Sequence, residues 1–273
     1  MDRHRPTAPL PALPGAPAHG PYRASRRTMV LPADVRDGVL AACRELGVTP
    51  FAYLATVFQA SLAAAGVTAP ALGFPMAGRT PSDEGLVGCF IRTAVLPSAG
   101  HAETFADAVR EAGGHVVAAL EHGTVSSDTA ARGRAAYHAW FVLQNTPTAS
   151  SGPGGTSVEP VPQQPATTKF ALTLDVTDTG SQLVCWFDFA ADVLGDELPQ
   201  RVADGFRAAL TAALADPGAA LDEVRAAAAV RPAPAARRAG PGLRSVSRRG
   251  PARPAGTGRH PQHGHDKQGD ETS

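Results

Sequence analysis

The sequence predicts an α/β fold in which a mixed β-sheet is flanked by helices. Two patterns follow one another along the 273 residues. In some segments apolar residues recur at helical spacing, and in others apolar and polar residues alternate as they do in strands. The predicted order is β-α-α-β-β-α-β-β-β-α, and its three successive late strands favour mixed pairing. Both ends of the chain lack these repeats, so we expect the folded domain over residues 26–229.

Start and stop signals set the limits of the elements. Pro32 opens a helix at its first position, where its missing N–H does no harm, and Thr49 caps the start of the next helix. That second helix is apolar around most of its circumference, which is typical of a buried helix. Residues 122–136 and 146–157 lack periodicity and are predicted to be loops. Strands are expected over residues 27–31, 71–76, 89–96, 137–144, 170–176 and 183–189, and helices over residues 32–47, 49–66, 105–121 and 196–216.

The two ends differ from the middle in composition. Residues 1–25 are rich in proline, and residues 230–273 are rich in arginine, proline, glycine and histidine. Neither stretch has enough apolar surface to offset the entropy of ordering it, so both are predicted to be disordered. Each end carries an excess of arginine over acids, and the net charge of zero therefore places an acidic domain between basic ends. The basic tail has no aromatic residue for stacking on bases, which favours a solvated linker over a nucleic-acid arm.

Cysteine spacing and hydropathy indicate a soluble cytoplasmic protein. Cys43, Cys89 and Cys185 are widely separated and form no CxxC pair, so neither a zinc site nor a redox couple is indicated. An odd cysteine count suits a reducing compartment. Residues 1–30 contain no secretory signal and no run of 18 apolar residues occurs, so no membrane span is expected. Three tail histidines, His260, His263 and His265, have no fixed geometry for a metal, and no metal site is predicted.

Five short strings stand in one order along the predicted domain. They are residues 47–49 (GVT) at a helix start, 73–79 (GFPMAGR), 87–93 (VGCFIRT), 141–145 (FVLQN) and 169–174 (KFALTL). In this order and spacing they resemble the C-terminal half of nonribosomal peptide synthetase condensation domains, which consist of two chloramphenicol-acetyltransferase-like halves. The last four strings correspond to the family's GxPxAGR, IGxFVNT, FVLQN and KFDLTL, with Arg92 in place of the family's Asn. The resemblance covers about residues 26–225.

The resemblance implies an acyl-transfer reaction between two carried substrates. In the family, an acceptor amine on one phosphopantetheine arm attacks a donor acyl thioester on another, and an amide forms. The implied partners are a peptidyl carrier protein or a synthetase module. The phosphopantetheine arms enter as substrates, and no bound cofactor is expected.

The histidine motif that the family uses for catalysis is missing from this chain. The family's HHxxxDG motif belongs to the other half, and no two of the nine histidines here are adjacent. None of them has aspartate four positions later, so the looser HxxxD pattern is also absent. General acid–base catalysis needs a group within hydrogen-bond reach, so we expect no catalysis by this chain alone.

Two further strings of the family, HQDxPFE and RDxSRxPLFQ, are degenerate between His122 and Phe141. Three hypotheses remain open. The chain is a half-enzyme that needs a second chain carrying HHxxxDG, a non-catalytic scaffold that docks a carrier protein or a synthetase, or a degenerate remnant without activity.

Three residues are candidates for the substrate channel, and no catalytic residue is predicted. His138 occupies the family's Gln position beside a strong strand, and a purely structural histidine is the competing interpretation. Gln144 and Asn145 end the FVLQN strand, which borders the active-site channel in the family. For Asn145, a turn or capping role is the alternative.

Other conspicuous side chains are assigned to structure alone. Arg79 is predicted to be a surface ion-pair partner, and Trp140 and Trp186 are predicted to be core residues. Asp175 and Asp188 are expected on a solvated sheet face without a catalytic role. The phosphate-binding, nucleophile-elbow and zinc-protease motifs GxGxxG, GxxxxGK[ST], GxSxG and HExxH are all missing.

Overall fold

In the part of the chain that the structure describes, a single mixed sheet of seven strands organises the fold. The computed structural model describes residues 10, 12, 21–79, 81–83, 85–99, 102–122, 137–145 and 163–229. The strands are β1 (Tyr22–Leu31), β2 (Leu72–Ala77), β3 (Ile91–Leu96), β4 (Ala139–Gln144), β5 (Thr167–Thr168), β6 (Leu172–Asp178) and β7 (Leu183–Ala190). The helices are α1 (Ala33–Leu46), α2 (Pro50–Ala64), α3 (Phe105–His122), α4 (Ala191–Leu194), α5 (Glu197–Ala215) and α6 (Leu221–Ala228).

The sheet has the order β3-β2-β4-β6-β7-β1-β5. Strand β4 pairs in parallel with β2 and β6, and the remaining pairs are antiparallel. The predicted α/β class with a mixed sheet and flanking helices is therefore confirmed. Strands β6 and β7 form the predicted hairpin, in which Gly180 has a φ of 85° that glycine adopts without strain.

Helix α2 is the centre of the hydrophobic core. Every residue from Ala52 to Leu62 is buried, as the apolar circumference of this helix predicted. The ring of Phe58 lies 6.4 Å from that of Phe187 on β7, and Phe187 lies 5.8 Å from Phe206 on α5. The one long polar side chain of α2, Gln59, donates to the carbonyls of Pro70, Leu96 and Pro97 and so ties the helix to the chain around β2 and β3.

Capping geometry confirms the predicted helix boundaries at Gly47 and Thr49, whereas Pro32 is the extended N-cap of α1 and not its first helical residue. The Thr49 hydroxyl accepts a hydrogen bond from the Ala52 N–H at 3.2 Å, and Gly47 ends α1 in the left-handed conformation. Helix α3 runs from Phe105 to His122, in agreement with the predicted 105–121.

Three strands or α-helices and the short 3-10 helix Pro81–Asp83 were missed, and the predicted start of β1 was wrong. Strand β1 begins at Tyr22, so the prediction of disorder is wrong for residues 22–25, because antiparallel pairing with β5 and β7 continues along these polar residues. Strand β5 and helix α4 have two and four residues, too few for a periodic signal. Helix α6 was missed because it is short and alanine-rich. It packs closely on α5, since a Cβ on Gly205 of α5 would lie 2.7 Å from the Ala228 carbonyl oxygen.

Several predictions fall outside the described residues. These are the disorder predicted for residues 1–9, 11 and 13–20, the loop between residues 123 and 136, the loop between residues 146 and 157, and the tail from residue 230 onward. Within the described part, no single helix is long and apolar enough to cross a membrane. Helices α1 and α2 are long and apolar enough for a membrane span only when they are taken together. The chain bends by 108° at the break between them.

Candidate functional site

The candidate site is built on the second face of the sheet, which lies opposite the face that packs on α2 and α5. Along β6 and β7, buried side chains of the core alternate with half-buried side chains of this second face. Strand register sets two rows of these side chains next to each other. One row is Trp140, Thr173, Asp188 and Arg26, and the other is Val142, Asp175, Trp186 and Thr28.

His138 lies directly before β4 and binds the chain just before β2. Its backbone N–H donates to the Ala71 carbonyl at 2.8 Å, and its Nδ1 accepts from the Ala71 N–H at 3.0 Å. The residue is buried, and the two bonds extend the parallel pairing of β2 with β4. The Nδ1 lone pair is thus used by the fold, which supports the structural interpretation of His138. Its role in a channel stays a prediction.

Gln144 and Asn145 lie at the opposite end of β4 from His138. At roughly 3.3 Å per residue, six residues of strand separate His138 from Gln144 by about 20 Å, so the fold does not bring the three candidates together. Gln144 and Asn145 are both exposed. The side chain of Gln144 hydrogen-bonds to Asp175 on the neighbouring strand, and the channel role of both residues stays a prediction.

Asp175 has an environment that the sequence did not suggest. It is half-buried, and its Oδ1 has no hydrogen-bond partner among the described residues. Burial raises the pKa of this carboxyl above its ordinary value, and the hydrogen bond from Gln144 offsets part of that effect. The nearby charge of Asp188 raises the pKa further. Asp175 is therefore not the fully solvated carboxylate that was expected.

Arg26 and Asp188 form a bidentate ion pair between β1 and β7. Nε lies 2.6 Å from Oδ1 and Nη2 lies 2.7 Å from Oδ2, and each side chain is only 14% exposed. The hydrogen bonds to Asp188 raise the pKa of the Arg26 guanidinium, whose carbon lies 5.1 Å from the centre of the Trp186 ring. Asp188 is thus paired and largely shielded from solvent.

The prediction that Trp140 and Trp186 are core residues is wrong. Both are half-buried and lie on the second face, because strand alternation places Phe141 and Phe187 in the core instead. Their position in apolar strands suggested burial. The alternation of the neighbouring core residues along each strand would have placed both rings on the other face.

Three aromatic rings cluster at one end of the second face. Trp140 and Phe170 are stacked with centroids 4.5 Å apart and planes 7° apart, and Tyr137 lies within 6.1 Å of both. A Cβ at Gly73 on β2 would come within 2.8 Å of Trp140 and Tyr137. The first glycine of the GFPMAGR string is therefore required by close packing under these rings.

The last two residues of the same string hold the chain that leads into β3. A Cβ at Gly78 would lie 2.4 Å from the Phe90 carbonyl oxygen. The Arg79 guanidinium lies 4.2 Å over the Phe90 ring, and it donates to the carbonyls of Asp83 and, at 2.9 Å, Leu86. Arg79 thus acts as a clamp on backbone carbonyls, a role that its prediction as a surface ion-pair partner did not include.

The second face combines exposed amide groups, one shielded ion pair, an incompletely bonded carboxyl and several aromatic rings. Such a surface suits contact with a mixed polar and apolar ligand. Among the residues that the structure describes, no group of three or more His, Cys, Asp or Glu side chains is arranged to hold a metal ion.

The chain is similar to two subunits of linear gramicidin synthase. The chain is 27% identical over 230 residues to one component of the linear gramicidin synthase of Brevibacillus parabrevis, and 26% identical over 226 residues to another. The first match covers 78% of this chain but only 4% of that protein.

Solved structures share the fold at low sequence identity. The X-domain from teicoplanin biosynthesis, in its complex with OxyB, matches with a TM-score of 0.67 at 15% identity, over 81% of this chain and 51% of that one. The condensation domain from the Monacolin K polyketide synthase MokA matches with a TM-score of 0.65 at 17% identity, over 77% and 51%. This chain therefore spans about half the length of these structures.

The family model for the condensation domain matches residues 1–230. This match covers most of the 273 residues and agrees with the mixed sheet and flanking helices. The chain belongs to the condensation-domain family of nonribosomal peptide synthetases.

Proposed function

We propose that this chain supplies one half of a condensation domain in nonribosomal peptide biosynthesis. The observation that carries the proposal is the family match over residues 1–230, combined with a fold that spans about half of the similar solved domains. The second face of the sheet then forms one wall of the channel in which two carried substrates meet. Its partners are peptidyl carrier proteins with phosphopantetheine arms, within a synthetase module, and an HHxxxDG-bearing half.

The reaction sets what the missing half has to supply. The acceptor amine attacks the thioester carbonyl, a C–N bond forms, the C–S bond breaks, and the amine proton passes to the departing thiolate. A positioned acid–base group contributes about 10²–10⁴-fold to such a step. His138 is tied to Ala71 through Nδ1, and no adjacent histidine pair exists in the sequence. The acid–base group therefore comes from the other half.

A single-turnover assay with two loaded carrier proteins tests the proposal. We expect this chain alone to give no amide product above the no-enzyme rate. Addition of the N-terminal, HHxxxDG-bearing half of a condensation domain from linear gramicidin synthase should raise the rate at least about a hundredfold. Mass spectrometry identifies the product, and that half without this chain is the control.

Product formed by this chain alone would refute the need for a second half. His138→Ala would then be the first variant to examine, because His138 is the one histidine beside the FVLQN strand. Equal rates with and without this chain would refute the proposed contribution of the second face.

A second candidate function is that of a non-catalytic scaffold. It is favoured by one observation, the similarity to the X-domain from teicoplanin biosynthesis, whose structure was solved in a complex with OxyB. On this alternative the chain docks a partner protein and forms no channel. Loaded carriers and an HHxxxDG half would then yield no product, while a carrier protein or a synthetase would still bind to this chain.

We also propose a cytoplasmic location. All three cysteines have free thiols, and Cys43 and Cys185 are buried, which suits a reducing compartment. Burial raises the pKa of the Cys43 thiol to about 11, so it remains protonated and unreactive at neutral pH.

A further inference from the structure

Helix α3 has an apolar surface on the side that faces away from the core. Its inner side packs on α2, where an aromatic ring of each helix meets edge to face. On its outer side, Val117 and Leu120 are 54% and 62% exposed, and Gly114 and Ala118 are exposed beside them. We call these four residues the α3 outer patch. Exposed apolar side chains that group together mark interaction surfaces, whereas single ones do not.

Two glycines in the middle of α3 have no packing role within the described residues. Glycine is among the least favourable residues in a helix interior. A Cβ at Gly113 or Gly114 would meet nothing within 4 Å, so no close contact requires a glycine at either position. At Gly205 of α5, by contrast, a Cβ would lie 2.7 Å from a backbone oxygen. Open glycines beside exposed apolar side chains leave room for the close approach of another helix.

The outer side of α3 has the spacing at which two helices pack lengthwise. Exposed residues recur alternately three and four positions apart, at Asp107, Arg110, Gly114, Val117 and Glu121. Their average period of 3.5 residues places them in one stripe, as in the seam between paired helices. The ends of this stripe are charged and its centre is apolar, which matches the polar rim and apolar centre of a protein interface.

Charge and shape together identify the partner helix as a second α3. In one antiparallel register, Arg110 of each copy lies opposite Glu121 of the other copy. In the same register Val117 lies over the open Gly114 of the other copy, because both pairs are centred between residues 115 and 116. A parallel arrangement would instead set each of these charges against its own like, which is unfavourable. The outer side of α3 is therefore complementary to itself in the antiparallel direction.

We propose that the α3 outer patch joins two copies of this chain in an antiparallel dimer with two-fold symmetry. In such an interface each contact occurs twice, so a self-complementary helix is sufficient to form it. Helix α3 packs on α2, whereas the second face of the sheet lies on the opposite side, so the dimer leaves the second face open. The inference goes beyond the proposed function, and either one can fail without the other.

The expected dimer is weak. A helix of 18 residues is about 27 Å long, and one pair of such helices buries less than the roughly 1,600 Å² of a standard interface. We therefore expect a Kd of about 1–100 μM. Sedimentation equilibrium of the full chain over this range should show the average mass rising from 28.0 kDa toward twice that value.

Substitutions on and off the patch test where the two copies meet. Leu120→Asp should raise the Kd at least about tenfold, because the charge replaces an apolar contact on both sides of the two-fold axis. Leu86→Asp is the matched control, since Leu86 is 56% exposed and lies outside α3, and it should change the Kd less than about twofold.

Gly114→Gln separates the interface from the stability of the helix. Glutamine is a better helix former than glycine, so the thermal melting midpoint should not fall. Its side chain fills the space that Val117 of the other copy occupies, so the Kd should rise at least about tenfold. A role of Gly114 in the fold alone would not weaken association while preserving the melting midpoint.

An exchange of charges tests the antiparallel direction. Arg110 pairs with Asp107 of its own helix at 3.1 Å, and its guanidinium has further donors for a carboxylate of the other copy. Arg110→Glu should raise the Kd severalfold, because acids then lie opposite each other. Addition of Glu121→Arg to the same chain should return the Kd to within about twofold of the wild-type value.

Three outcomes would overturn the dimer proposal. A chain that stays monomeric at every concentration has no second copy on α3. Equal Kd values for Leu120→Asp and Leu86→Asp would place the contact between the copies elsewhere. A charge exchange that does not restore association would exclude the antiparallel register.

Discussion

Replacement of Phe187 by alanine should lower the free energy of unfolding by about 3–5 kcal/mol, the range for a fully buried phenylalanine. Phe187 is completely buried and lies between Phe58 of α2 and Phe206 of α5. Its removal leaves a cavity where the sheet meets both helices. Urea denaturation followed by far-ultraviolet circular dichroism measures the change.

The neighbouring Trp186→Ala variant is the matched control. Tryptophan is the larger side chain, but Trp186 is half-buried on the second face of β7. We expect a loss of about 1–2 kcal/mol, since less apolar area is withdrawn from water there. A larger loss for Trp186→Ala than for Phe187→Ala would mean that the second face, and not the helix face, holds the core.

Replacement of Arg26 by alanine should destabilise the protein by about 2–4 kcal/mol, between the small effect of an exposed ion pair and that of a fully buried one. The change leaves Asp188 shielded and unpaired, next to the carboxyl of Asp175, whose pKa is already raised by burial. The control is Arg110→Ala, because Arg110 pairs with Asp107 at 53% exposure of each side chain. That loss should stay below about 0.5 kcal/mol.

A second substitution separates loss of the ion pair from loss of packing. Adding Asp188→Ala to Arg26→Ala removes the unpaired carboxylate, so the double variant should be less destabilised than the sum of the single variants, by about 1 kcal/mol or more. Strict additivity would show that the contact between Arg26 and Asp188 contributes nothing to stability. The Trp186 ring, which lies near the guanidinium, would then be its main partner.

Much of the fold could be predicted because the core strands carry a clear period. Alternation placed Leu174 and Phe187 on one face, and the structure buries both. Residues 22–25 escaped prediction because they are mostly polar, and their strand conformation depends on pairing with β5 and β7, which lie far later in the chain. Helix α6 has only eight residues and buries Leu221, Val224 and Ala228, which is too short a run to give a clear helical period.

The candidate site was predicted less well than the fold. The FVLQN string placed Gln144 at the end of β4, but nothing local indicated that its side chain meets Asp175. The pairing of Arg26 with Asp188 joins residues 162 positions apart, which only strand register reveals. The GFPMAGR string contained a usable signal, since its two glycines and its arginine each have a packing or clamping role that the structure makes visible.

That this chain is completed by an HHxxxDG half is tested most directly by sedimentation velocity. The measurement uses an equimolar mixture of the full chain and the N-terminal half of a condensation domain from linear gramicidin synthase. We expect one species that contains both polypeptides in a one-to-one ratio, because apolar surface left open on each half is buried when they join. Two separate species at all concentrations, each sedimenting as it does alone, would contradict the assignment of this chain as half of a condensation domain.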